Sequence, residues 1–211
     1  MDEVSKEIVD YIETDILPKY GGIGGHTDEH IRYVIKRSLH FRKQAPETNP
    51  DMVYIIAAYH DLGRLIDNET HNIESAKMLR ADEFLKEHFT AEEVETMAQA
   101  VEDHRSTLGH EPRSIYGKIV SSADRNPSME ISMARSYDYF SHLYPDAIEE
   151  EAFEHCRNHL RKKYSPDGYA ANTMYFDDPN FKKFLVEAER ATRDPAEFAK
   201  AMREFNKKRG K

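Results

Sequence analysis

The 211-residue sequence has no tryptophan and a single cysteine, Cys156. One thiol cannot close an internal disulfide, so a disulfide-stapled scaffold is excluded. Long apolar runs are missing as well. The longest, "MVYIIAAY" from Met52 to Tyr59, is eight residues, whereas a membrane-crossing helix needs about 20, so no membrane partner is expected. Positive charge is in deficit, with a net charge of -9. Duplex nucleic acid is held largely through Lys and Arg on its phosphates, so that class of partner is disfavoured too. Only the tail "KKRGK" is strongly basic, and it reads as a solvated helix end. The start "MDEVSKEIVDYIE" lacks the basic-then-apolar order of a secretory leader, and the expectation is a cytoplasmic protein. There is no low-complexity tract and no repeat of fixed period.

Strict alternation and paired turn signals are also wanting, so sheet structure is not expected. What is present is helical spacing almost throughout. Ile8, Val9, Ile12 and Ile16 share one face, and "GGIGG" then breaks the pattern. Thr27 is placed to cap a helix running to about Lys43, with Asp28 and Glu29 at its positive end. Pro50 opens the apolar helix, which is expected to end near Gly63. A helix from about Asn72 to His88 follows, with Ile73, Ala76, Leu79 and Phe84 inward. Thr90 caps the next, whose stripe is Val94, Met97, Ala98 and Val101. "SIYGKIVSSADR" is apolar on one face and ends in Asp124, and further helices are expected at about 129–143, 146–163, 179–192 and 195–208. The fold class is all-α, in one domain spanning 1–211.

Chemistry gathers at the helix ends. Of eleven histidines, His30, His60, His71 and His104 each fall at the end or first turn of an expected helix, where separate helices can converge on a point. Asp61 follows His60 at the end of the most apolar segment, and a carboxylate there needs a partner because burying its charge is costly. Adjacent residues diverge by about 100° on a helix, so both can still reach an ion lying between them. Imidazole with carboxylate suits Mn, Fe, Zn, Ni or Co better than Ca. His26, in the loop before His30, reads as a loop residue, and Asp103 is open between orienting His104 and facing solvent. His40, His88, His142, His155 and His159 read as surface residues.

Taken together and in order, "DEHIRYV" (28–34), "AAYHDLGR" (57–64) and "SSADR" (121–125) resemble the H…HD…D signature of the HD-domain superfamily of metal-dependent phosphohydrolases. The resemblance implies a helical bundle of about five core helices over about 20–145, extended by C-terminal helices over about 146–211. It also implies a metal site of His30, His60, Asp61 and Asp124. Tyr33 departs from the pattern, since an arginine often precedes the valine there. "THNIESAKML" (70–79) and "AVEDHR" (100–105) resemble the segments that bring a second ion in two-metal members, which would add His71 and His104 with Asp61 bridging. The HD-GYP branch is similar in ligand order, but its Gly-Tyr-Pro motif and paired histidines are absent, and Arg105 stands in the second histidine's place. Cyclic-dinucleotide hydrolysis is therefore not assigned.

The implied cofactor is a divalent transition metal, one or two ions per chain, and the implied activity is hydrolysis of a small phosphorylated metabolite such as a nucleotide mono- or polyphosphate. An ion held by imidazoles lowers the pKa of coordinated water and makes a nucleophile near neutral pH. Catalytic roles fall to Asp61 and to Arg64 and Arg125, the nearest positive groups in sequence for the charge developing on phosphoryl oxygens. Lys118 reads as solvent-facing, "GGIGG" as a link rather than a nucleotide fingerprint, and the aromatic connection Tyr164–Asn180 as a surface loop that could close over a base. Two other classes fit the ligand set: a di-iron oxygenase, and a non-catalytic metal-stabilised regulatory module. The sequence leaves a homodimer open.

Overall fold

The computed structural model describes residues 4–22 and 28–210; His26 and Thr27, with most of the glycine-rich stretch, lie outside them. Among the described residues there are eleven α-helices and no strand, so the all-α expectation holds. No helix among the described residues is long and apolar enough to cross a membrane. The chain gathers into two compact units, Met1–Asp124 with Met174–Phe176, and Arg125–Thr173 with Asp177–Lys211.

The first unit opens with α1 (Lys6–Tyr11), which runs through a π turn at Ile12–Ile16 into a 3-10 segment at Leu17–Gly22. Then come α2 (Asp28–Arg42), α3 (Pro50–Tyr59), a 3-10 turn at Leu62–Leu65, α4 (His71–Ala81), α5 (Glu83–His88), α6 (Ala91–Glu102) and α7 (Ile115–Ala123). Helix α3 is the axle, packed against α2, α4, α6 and α7. Every side chain from Met52 to Tyr59 is buried, which explains why that run has no polar face: a helix surrounded by others is apolar all round. Pro50 sits at its first turn, where a missing N–H is harmless, and Asn49 Oδ1 accepts from the Asp51 N–H at 2.9 Å.

Helix α6 begins with the expected capping box between Thr90 and Glu93, and Val94, Met97, Ala98 and Val101 are buried as expected. The expected continuous helix from 72 to 88 is two helices. Asp82 leaves helical geometry and caps α5 by accepting the Leu85 N–H at 3.1 Å. The inner face of α4 also differs, since Ile73 is exposed while His71, Asn72, Ser75, Ala76 and Leu79 are buried.

The second unit holds α8 (Met129–Leu143), α9 (Glu149–Tyr164), α10 (Pro179–Arg193) and α11 (Pro195–Lys208), all within three residues of the expected bounds. Helix α9 packs against the other three, around Phe153, Cys156, Leu160, Phe181, Phe184, Phe198 and Met202. His155 and His159 on α9 are half-buried rather than surface residues. In the 164–180 connection, Met174–Phe176 joins the first unit, where Phe176 stacks on Phe41 at 5.5 Å and the Tyr175 N–H donates to Ser122 Oγ at 3.1 Å.

Candidate metal centre

The site is built where helices stop. After Tyr59 the α3 backbone unwinds: His60 is still helical, but Asp61 at φ -109°, ψ 3° turns out of the helix into the 3-10 segment. The expected helix end near Gly63 therefore comes earlier, at the HD pair itself, which swings Asp61 round to the same side as His60. The turn is clamped from α4. Ser75 Oγ accepts the Gly63 N–H at 2.7 Å and donates to the His60 carbonyl at 3.0 Å. Gly63 is obligatory here, since a Cβ would stand 2.2 Å from the His71 carbonyl oxygen and 2.5 Å from the Ser75 nitrogen.

Five elements deliver the six expected ligands. His30 comes from the first turn of α2, His60 and Asp61 from the end of α3, and His71 from the first residue of α4. His104 follows the end of α6, and Asp124 caps α7. They form two clusters, one of His30, His60 and Asp124 and one of Asp61, His71 and His104, each with its ligand atoms within 4.8 Å of one another. Asp61 joins them by dividing its oxygens. Its Oδ2 lies 3.7 Å from His30 Nε2 and 3.5 Å from His60 Nε2. Its Oδ1 lies 3.2 Å from His71 Nε2 and 3.6 Å from His104 Nε2. Asp124 Oδ1 is 3.2 Å from His30 Nε2 and 3.8 Å from His60 Nε2.

The imidazoles are set as ligands. Nδ1 of His60, His71 and His104 faces the carbonyl three residues earlier, on Ala57, Asn68 and Val101, at 2.8, 2.8 and 2.7 Å. A carbonyl has no proton to give, so each Nδ1 is the donor, and this tautomer turns Nε2 of each ring into the site. Burial pushes His60 down to about 4 against the upward pull of the Asp61 and Asp124 carboxylates, and burial followed by His104 lowers His71 to about 4 as well. Both are therefore neutral at neutral pH.

Two observations test whether this set fits an ion. His60 Nε2 is buried and makes no hydrogen bond, although burying a lone pair without a partner is costly. His71 Nε2 and His104 Nε2 meet at 3.3 Å with both Nδ1 atoms already protonated, so two lone pairs point at each other. A cation between them converts that repulsion into ligation. The spacing agrees: two donors about 2.1 Å from one ion at a tetrahedral angle are roughly 3.4 Å apart. The residues fit.

Arg64 is drawn into the same place. Its Nε pairs with Asp61 Oδ1 at 2.9 Å and its Nη2 lies 3.4 Å from His71 Nε2. Arg125 is buried, and its Nη2 donates to Thr173 Oγ1 at 2.8 Å, both residues lying in the second unit. Lys118 pairs with Glu111 at 3.1 Å and lies over the Tyr175 ring at 5.5 Å. Asp103 neither orients His104 nor faces solvent: it is buried and takes the Arg113 N–H at 2.7 Å and the Arg113 guanidinium at 2.8 Å. Sequence reasoning passed over Ser75, whose only signal was the small-residue start of α4, and the three carbonyls that fix the imidazoles, which as backbone atoms leave no mark in sequence.

The family model of the HD domain matches residues 27–126, a span containing all six residues of the two clusters. No curated protein and no solved structure matches the chain.

Proposed function

Since this chain carries an HD domain over residues 27–126, and HD proteins are mostly metal-dependent hydrolases, we propose that it is a phosphohydrolase acting on a small phosphorylated metabolite, specifically a nucleotide mono- or polyphosphate. The observation that carries this reading is the pair of three-donor clusters sharing the divided carboxylate of Asp61. A divalent ion, when bound, supplies Lewis acidity to a phosphoryl oxygen and acidifies water.

The chain's own residues do the rest. His30, His60, Asp61 and Asp124 would hold the first ion, and His71 and His104 with Asp61 would hold a second. The three backbone carbonyls set the tautomer that aims Nε2 into the site, and burial keeps His60 and His71 neutral at neutral pH. Arg64, one turn past His60 and partly open to solvent, offers a fork of donors for phosphoryl oxygens. Asp124 is the most open ligand, with a quarter of its side chain exposed against 2% or less for His60 and Asp61. Phosphate therefore enters from the Asp124 side.

The test is phosphate release from a panel of nucleotides with Mn, Co or Ni, compared with Asp61→Ala. Release is expected in the wild type and its loss in the variant; equal release by both would sink the reading. The shared carboxylate between nitrogen-rich clusters also favours a di-iron oxygenase. Iron retained through anaerobic purification, with the EPR signal of a mixed-valent pair and no phosphate release under any metal, would identify that chemistry instead.

A further inference from the structure

The two clusters are not equally available to a cation. Asp61 Oδ1 faces His71 and His104, and it is also the atom that Arg64 Nε meets at 2.9 Å. Arg64 Nη2 approaches His71 Nε2 at 3.4 Å. The guanidinium thus contacts two of the three donors of the second cluster, and its far end is anchored by Nη1 on the Asn68 side chain. In the first cluster the acid and imidazole atoms face one another.

Charge points the same way. The six donors include two carboxylates, Asp61 and Asp124. Two divalent ions together with the guanidinium would leave three positive charges unbalanced among them, whereas one ion with the guanidinium leaves one. Like charges in a site with little solvent repel strongly, so the second ion and the Arg64 guanidinium exclude each other.

We propose that Arg64 is a built-in occupant of the second cation position, so that the resting protein holds one ion, in the first cluster, and takes a second only when the guanidinium leaves Asp61. The proposal rests on the metal-centre reading above. Where a ligand binds only the conformer with the side chain withdrawn, its apparent affinity falls by that conformer's population. Full ligation at the first cluster does not require Arg64 to move.

Calorimetric titration of the full chain with Mn(II), read together with the EPR signal of a coupled Mn pair, separates the two steps. The wild type is expected to bind one ion tightly and a second at least roughly tenfold more weakly. Arg64→Ala and Arg64→Gln should tighten the second step by roughly tenfold, leave the first within about twofold, and show the pair signal at a lower Mn level. Arg64→Lys, which keeps the charge, should fall between. Equal affinity for two ions in the wild type, or an unchanged second step in both neutral variants, would overturn the proposal while leaving the metal centre standing. Failure of the wild type and every variant to bind Mn at all would instead remove the centre, and the proposal with it. Thermal melting of each variant confirms folding; Arg64 lies on a partly exposed turn, outside the core.

Discussion

Asp61 shows how much one residue's setting depends on three others. Ser75 fixes the turn it sits on, Gly63 lets α4 come close enough to do so, and Arg64 holds one of its oxygens. Gly63→Ala should therefore destabilise by about 1–3 kcal/mol or more, because the new methyl meets backbone rather than a yielding side chain. Gly21→Ala, with nothing within 4 Å of the added Cβ, should change urea stability by less than about 0.5 kcal/mol. The neutral imidazoles make a second prediction. His60 and His71 sit at about 4 in the fold against an ordinary 6.5, so below about 6.5 the unfolded chain binds protons that the folded one refuses. Metal-free stability is then full above about pH 6.5 and declines as pH falls toward 4, by an amount on the order of a few kcal/mol. His71→Asn removes one of the two groups, and urea titrations across that range should show a shallower decline than in the wild type. Parallel pH profiles would contradict it. At this scale the residues that gather in the two clusters were legible because residue type and order carry them. The division of Asp61's oxygens was not, since it depends on which way the α3 backbone turns after His60.

At the scale of elements, most helix starts were readable from their caps, and the clearest failure was the join of α4 and α5. Apolar spacing continues through Asp82 as though the helix did, so periodicity alone gives one helix. The break is made by side-chain demand. Asp82 Oδ1 caps α5 through the Leu85 N–H, while Oδ2 takes the hydroxyls of Tyr59 at 2.6 Å and Tyr11. Burial, followed by the bond to Asp82, pushes the Tyr59 hydroxyl far above its ordinary range, so it remains a donor at any pH the protein meets. Asp82→Ala removes the cap and strands the Tyr59 hydroxyl in a mostly apolar setting, an expected loss of about 2–4 kcal/mol. Asp82→Asn keeps acceptor oxygens and should lose less. A urea midpoint for Asp82→Ala matching the wild type would show that Asp82 does not hold α1, α3 and α5 together. The exposed Ile73 has a related cause: the face of α4 turned inward is chosen by His71 and Ser75, which serve the HD turn, and not by its greasiest residue.

For the whole molecule, the divide after Asp124 could not be read locally, because α7 and α8 have similar helical spacing and only a short connection between them. It matters for the metal. All six residues of the two clusters belong to the first unit, on five separate elements. An ion binding there ties together chain ends far apart in sequence, and its binding energy becomes folding stability only for structure that must open to release it. With Mn(II) at about a hundred times its dissociation constant, the gain is roughly 2.7 kcal/mol, equivalent to about hundredfold slower amide exchange where exchange requires that opening. The slowing is expected in segments 57–65, 71–76, 101–105 and 119–124. Helices α8 to α11 should exchange at their metal-free rates, since no ligand residue ties them to the ion. Slowing spread evenly over both units would mean that the two open as one, and slowing confined to α8–α11 would place the ion away from the HD residues.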